Sequence, residues 1–409
     1  MAVARPGYVV AKYVLEDQAA QLSKRAEGIA VGLTVGSWTD LPAAKQESMK
    51  PYRGVVEGIE VIDELPEGRV RAEITIGYPT VNLTPSIPAV LTTVFGKLSM
   101  DGVIRLVDLR LPAEFIAAFP GPKFGVAGVR ERVRVQGRPL VMSIFKSCIG
   151  QSLDELAAHF AEQAEGGVDL IKDDEIFFSE QHATPEQRVA RFRDIASRVE
   201  QQTGKPVLYA VNLTGRTFEL RDRAKRLADL GAGALLLNVV AYGYDVLQEL
   251  ASDPDIHIPI IAHPAVAGAL YGSATHGISS HILLGQFLRL AGADIAIYPS
   301  PYGSVTLAAK EGAALVESLR QPNGLKPVLP APSAGIHPGL VPRLVRDFGL
   351  DIIVNAGGAI HGHPQGATAG GKAFVDAVHA VATGHSLKVA AEGSEALRLA
   401  LDKWGYSAS

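Results

Sequence analysis

Pro139-Leu140-Val141-Met142-Ser143-Ile144-Phe145-Lys146 sets the pattern on which the fold turns: a short, almost wholly apolar run opened by a proline and stopped by a lysine. Similar runs recur downstream at 168–171, 207–211, 234–237, 258–262, 294–297, 327–329 and 351–354. Between them come polar or Gly/Pro loops and amphipathic segments. A half-exposed antiparallel strand alternates apolar and polar residues, so runs this continuous read as parallel strands buried on both faces. The segments between them read as helices. The clearest start is Thr184-Pro185-Glu186-Gln187, with a capping Thr, a first-turn Pro and a Gln three residues on. Eight strand–helix units in roughly 250 residues match a (β/α)8 barrel. A doubly wound open sheet is the competing reading. The count of eight, and the lack of a Gly-rich turn after the first strand, favour the barrel.

Toward the N-terminus the pattern changes. Residues 8–14, 55–62, 70–76 and 103–109 read as strands, and 17–29 and 87–94 as helices. The order βαββαβ suits a small ferredoxin-like domain. Phe119-Pro120-Gly121-Pro122-Lys123-Phe124-Gly125 would connect it to the barrel. The expected class is α/β: a ferredoxin-like α+β N-terminal domain at 1–128, then a C-terminal (β/α)8 TIM barrel at 129–409 that ends in a helical tail.

Composition excludes several function classes. Of 409 residues, 47% are hydrophobic and 20% charged, which is ordinary globular composition and not that of a disordered chain. A net charge of -4 offers no basic field for nucleic acid or an anionic membrane. One cysteine, Cys148, rules out a disulfide framework and fits a reducing compartment; without a recognisable histidine partner it reads as inert. Met-Ala-Val-Ala-Arg-Pro-Gly at the start lacks the layout of a secretory signal, and no apolar run is long enough to span a bilayer. The expectation is a cytoplasmic protein.

In a (β/α)8 barrel, chemistry sits at the C-terminal ends of the strands. Those positions carry Lys146, Lys172-Asp173-Asp174-Glu175, Asn212, Asn238, His263, Ser300 with Ser304, Ser333-Ala334-Gly335-Ile336-His337 and Asn355-Ala356-Gly357-Gly358. A purely structural barrel has no need of such a set. On an extended strand Lys172 and Asp174 point the same way and Glu175 follows at the turn. Two converging carboxylates suit a hard divalent cation, Mg²⁺ first, although a solvated acidic turn neutralised by Lys172 is the plain alternative. Ser333, Gly335, Gly357 and Gly358 lie on the last two loops, where barrels commonly bind phosphate through backbone N–H groups; the alternative is that these glycines only make turns. A helix is expected from near Gly371. His337, His361 and His363 are spaced like a metal cluster, but the surrounding Gly and Pro spoil helical ligand geometry. His263 reads equally as a core or a site histidine.

Gly166-Gly167-Val168-Asp169-Leu170-Ile171-Lys172-Asp173-Asp174-Glu175 resembles the activation motif of the RuBisCO superfamily. The resemblance implies a carbamate, formed from CO₂ on Lys172, that binds Mg²⁺ together with Asp174 and Glu175. It covers nearly the whole chain, both domains included. It also implies a homodimer, or a larger homo-oligomer of dimers, in which one subunit's N-terminal domain covers the other's barrel mouth. Two departures argue against carboxylation. Tyr298-Pro299-Ser300-Pro301-Tyr302-Gly303-Ser304-Val305 lacks the mobile-loop lysine, and Pro264 follows His263 where the second phosphate site would have an arginine. A RuBisCO-like (type IV) protein is therefore expected.

Further similarity lies in Gly36-Ser37-Trp38-Thr39-Asp40-Leu41-Pro42, Phe95-Gly96-Lys97-Leu98-Ser99, Tyr209-Ala210-Val211-Asn212-Leu213-Thr214-Gly215, the segments around Ser300 and Ser333, and residues 355–366. These are similar to the branch that enolises 2,3-diketo-5-methylthiopentyl 1-phosphate in methionine salvage. The resemblance implies Lys97 as the base, where the carboxylase has an asparagine, with Lys146 the runner-up. It implies His263, Ser333, Gly335, Gly357 and Gly358 as substrate and phosphate contacts. Trp38 and Thr39 would reach the substrate across the interface, a core role being the other reading of Trp38. The partner expected is thus a phosphorylated small molecule, with no nucleic acid and no membrane. A RuBisCO-like isomerase of another phosphorylated methylthio sugar and a non-catalytic RuBisCO-like protein are the alternatives.

Overall fold

The computed structural model of the chain describes Ala4, residues 6–36 and residues 41–406. Near the N-terminus, β1 (Tyr8–Gln18), β2 (Val55–Glu64), β3 (Arg69–Pro79) and β4 (Ile104–Arg110) form an antiparallel sheet in the order β4-β1-β3-β2. Alternate residues bury one face: Val9, Ala11, Tyr13 and Leu15 on β1, and Val70, Ala72, Ile74 and Ile76 on β3. The helix Leu22–Gly32 packs across that face through Leu22, Ala26 and Ile29. The strand and helix order is the ferredoxin-like one expected, with an added helix, Ala43–Met49. β1 runs on to Gln18 because β3 pairs with it along its whole length, from Tyr8↔Pro79 to Gln18↔Arg69. The helix starting at Ile87 is capped by Ser86, whose Oγ accepts from Ala89 N, and it widens over Thr92–Gly96 just before Lys97.

Eight parallel strands follow: β5 (Leu140–Ile144), β6 (Leu170–Lys172), β7 (Leu208–Asn212), β8 (Ala234–Asn238) and β9 (Ile260–His263), then, beyond a short β10 (Gly277–Ile278), β11 (Ile295–Pro299), β12 (Leu329–Ser333) and β13 (Ile353–Ala356). β13 pairs back onto β5 with Ile353↔Leu140. At the seam β12 and β13 lie side by side, and Asn355 Nδ2 donates to Ser333 Oγ at 2.9 Å. β10 leaves the barrel to pair in parallel with β4, tying the two sheets together.

Along each strand the core divides in two. Leu140, Met142, Leu170, Ala210, Leu236, Ile261, Ile295 and Leu329 fill the barrel interior, which Val129 and Val133 of the helix Gly125–Val133 also join. Val141, Ile171, Val211, Leu235 and Leu237 face the helical layer. The division expected at 128/129 falls inside the helix Gly125–Val133. All eight expected runs overlap a strand, the run 327–329 only at Leu329, and most strands extend one to four residues further toward their C-terminal ends. The ladder is made by backbone groups, so polar residues such as Lys172, Asn212 and Asn238 continue it while their side chains face the mouth. No helix among the described residues is long and apolar enough to cross a membrane.

Candidate active site

Strand alternation builds the site. On β6, Leu170 faces the barrel interior and Ile171 the helices. The period of two therefore turns Lys172 inward, Asp173 outward and Asp174 inward. Lys172 has no exposure. Its Nζ donates to the Asp173 carbonyl at 2.8 Å and lies 3.7 Å from Glu175 Oε2. From just beyond β5, Lys146 Nζ reaches Asp174 Oδ2 at 2.6 Å. From β9, His263 Nε2 stands 3.4 Å from Glu175 Oε2. Asn212 and Asn238 each donate Nδ2 to the Glu175 carbonyl, at 3.2 and 3.1 Å, which holds the turn after β6.

Burial sets the proton affinities here. Desolvation lowers the Lys172 ammonium below its ordinary value, although Glu175 and Asp174 pull the other way. Burial, reinforced by the Lys172 charge, pushes His263 well below an ordinary imidazole, so it is neutral near pH 7. For Glu175 burial works upward, but Lys172 and local hydrogen bonds outweigh it and the carboxyl lies low.

A cavity of about 590 Å³ opens over these groups. Lys146, Glu175 and His263 line one part of it, Ser333, Gly335, Gly357 and Gly358 another. A Cβ at Gly358 would meet nothing within 4 Å, which leaves its backbone open to an approaching ligand. A Cβ at Gly357 would stand 2.7 Å from Lys146 Cε. Gly335 has φ +71°, and a Cβ there would stand 2.6 Å from Ser304 N, so glycine is required by backbone conformation as well as by space. Three non-glycine residues with positive φ, Ser147, Val266 and Ala334, also lie on mouth loops; for Val266 that conformation is costly.

The other expected residues fall elsewhere. Lys97 does not line the mouth of its own chain. It lines a separate cavity of about 430 Å³ on the N-terminal domain, with Asp17, Lys24, Arg25 and Asp101. Trp38 and Thr39 lie outside the described residues. His361 and His363 form no metal cluster: their Nε2 atoms lie 2.9 Å from the Ile144 and Ala396 carbonyls. Helix formation after β13 begins earlier than expected, with Gly358–His361 and then Gly366–Ala382. Cys148 is buried, as an inert thiol would be. Sequence reasoning missed Trp404, which reaches the cavity from the helix Glu395–Trp404, and the partners of Asp173, described below. Nothing near Trp404 in the sequence signals its place, whereas the outward phase of Asp173 was readable from strand alternation.

An antiparallel α+β sheet joined to a (β/α)8 barrel, with lysine and carboxylates gathered at the strand ends, defines a two-domain α/β protein with a site at the barrel mouth. The chain belongs to the ribulose bisphosphate carboxylase large-chain family. The catalytic-domain profile of that family matches residues 125–299 and 304–404, and its N-terminal-domain profile residues 4–115. A solved RuBisCO-like protein from Alicyclobacillus acidocaldarius is 61% identical, with a TM-score of 0.94 over 97% of this chain and 100% of that one. The 2,3-diketo-5-methylthiopentyl-1-phosphate enolase of Geobacillus thermodenitrificans is 52% identical over 97% of this chain and 98% of its own length. The octameric ribulose-1,5-bisphosphate carboxylase/oxygenase of Pyrococcus horikoshii is 30% identical, with a TM-score of 0.89 over 98% of this chain and 95% of that one.

Proposed function

We propose that this chain catalyses the Mg²⁺-dependent enolisation of 2,3-diketo-5-methylthiopentyl 1-phosphate to 2-hydroxy-3-keto-5-methylthiopentenyl 1-phosphate, the activity named for its Geobacillus relative, in methionine salvage in the cytoplasm. The observation that carries the reading is the fully buried Lys172, with its Nζ 3.7 Å from Glu175 Oε2, beside a Glu175 that lines one cavity together with Gly335, Gly357 and Gly358. The stretch 298–305 has no lysine, which separates this chain from a carboxylase.

The donor set fits the cation. Among the described residues no trio of His, Cys, Asp and Glu stands ready to hold a metal. A third anionic oxygen is available if Lys172 becomes a carbamate: its neutral amine forms an N–C bond to CO₂ and releases a proton. Burial favours that neutral amine. Asn212 Oδ1 and Asn238 Oδ1, buried and without a hydrogen-bond partner among the described residues, add unused oxygen acceptors around the same turn. Lys172, Asp174 and Glu175 would hold Mg²⁺, which when bound supplies a Lewis acid for the developing enolate oxygen.

The chain's own groups do the rest. Gly335, Gly357, Gly358 and Ser333 bind the phosphate, and neutral His263 orients the diketone. Lys97 takes the proton from the carbon that bears the phosphate. Because Lys97 is absent from its own mouth cavity, it acts from a second copy, whose N-terminal domain covers the barrel. Exposed apolar side chains ring the mouth, namely Ile149, Ile176, Phe178, Phe218, Val266 and Val305, as a surface covered by another copy requires. Lys146 is the second candidate base because it lines the mouth of its own chain, but its ion pair with Asp174 occupies it.

Proton NMR in D₂O tests the reading. Incubation with the diketone phosphate should give the enol and deuterium beside the phosphate, dependent on both Mg²⁺ and bicarbonate. Absence of exchange under every condition would refute it in favour of the isomerase or the non-catalytic alternative.

A further inference from the structure

Asp173 is the member of the Lys172–Glu175 run that the proposed ligand set leaves unused. It is fully buried and faces the helical layer. Its Oδ1 accepts from Tyr209 Oη at 2.6 Å, and its Oδ2 from Arg188 Nη2 and Asn212 N, both at 2.9 Å. Its backbone is fixed as well: N donates to the Ala210 carbonyl at 3.0 Å, and O accepts from Lys172 Nζ. Arg188, 1% exposed on the helix Pro185–Thr203, donates Nε to Tyr209 Oη at 3.1 Å and Nη1 to the Ala183 carbonyl at 2.8 Å. The same guanidinium lies 4.1 Å from the centre of the Phe177 ring, and Phe177 N donates to the Asp174 carbonyl. One buried cation thus grips the chain on both sides of Asp174-Glu175.

Stability alone does not call for such a group, since a buried ion pair is often no better than well-packed apolar residues. We propose that Asp173, clamped by Arg188 and Tyr209, is a positioning unit that holds Lys172, Asp174 and Glu175 in the spacing a divalent cation needs. The proposal rests on the metal reading above. Groups behind metal ligands typically govern affinity by about 10–100-fold.

The test is Mn²⁺ binding to the full-length protein with bicarbonate, followed by electron paramagnetic resonance of the free ion, beside thermal unfolding. Tyr209→Phe removes one hydroxyl but keeps a ring packed 4.8 Å from Phe192, so the variant should fold, which thermal unfolding checks. Its Mn²⁺ affinity should fall by about tenfold or more. Turnover should recover at high Mg²⁺, with KM for the diketone unchanged. Arg188→Lys, which keeps the charge and loses the fork, should fall between wild type and Arg188→Met. Wild-type affinity in folded Tyr209→Phe and Asp173→Asn would overturn the clamp alone; should Asp173→Asn not fold, Tyr209→Phe decides. Failure of the wild type to bind Mn²⁺ would overturn the metal reading and the clamp together.

Discussion

Lys172 and Cys148 show burial acting in opposite directions on two groups. Desolvation is the largest influence on Lys172 and lowers its proton affinity. A lysine whose folded pKa lies below its unfolded value binds fewer protons when folded, so stability rises with pH through the window between the two. The neutral amine is also the form that takes up CO₂. At a fixed dissolved CO₂ concentration with Mg²⁺, activation should therefore be faster at pH 8.5 than at pH 7, and Lys172→Met should show neither activation nor Mn²⁺ binding; a flat pH profile at constant CO₂ would contradict this. Cys148 is pushed up to about 11, first by burial and then by Asp173 and Asp174. At pH 8 its thiolate fraction is about one in a thousand. Iodoacetamide should label the folded protein at least about tenfold more slowly than the unfolded chain, read by mass spectrometry.

Among the elements, the C-terminal helix Glu395–Trp404 reaches furthest from its place in the sequence. It packs on Gly366–Ala382 through Ala396 and Ala400 against Ala373. At its end Lys403 Nζ donates to the Gly362 carbonyl at 2.6 Å, on the loop after β13, and Trp404 lines the mouth cavity. The backbone at Gly405 and Tyr406 lies against Gly339, beyond β12, where a Cβ would overlap the Gly405 carbonyl. Gly339→Ala should unseat this end at a cost of about 1–3 kcal/mol in chemical denaturation. Because Trp404 then moves, KM for the diketone should rise while Mn²⁺ affinity stays. The barrel strands were legible in sequence because both faces of each are buried, which leaves an unbroken apolar signature. The polar strand ends Lys172, Asn212 and His263 were legible because a barrel fixes where its strands point. Trp404 and Arg188 were not, because their roles arise from packing between segments distant in sequence. Lys97 could be singled out by resemblance, but the cavity it lines depends on the tertiary fold.

At the scale of the whole molecule, Lys97 lines a cavity on the N-terminal domain while Glu175, next to the buried Lys172, lines the barrel-mouth cavity, yet the proposed reaction needs Lys97 and Lys172 at one substrate. A closed twofold dimer would meet that need by placing each N-terminal domain over the partner's barrel, giving two sites that each draw on both chains. Lys97→Ala should lose at least about 10²-fold in turnover, the usual contribution of a general base, while still binding phosphate. Lys172→Ala should be inactive for want of the carbamate. Mixed in equal amounts and allowed to exchange subunits, these two variants should regain activity. Half of the dimers would carry both chains, and in each of those one site would pair an intact Lys172 with an intact Lys97, so about a quarter of wild-type activity should return. A base acting within its own chain gives no recovery on mixing, and Lys146 as the base leaves Lys97→Ala active on its own. The activity of the mixture against the two separate variants therefore distinguishes a shared site from a self-contained one.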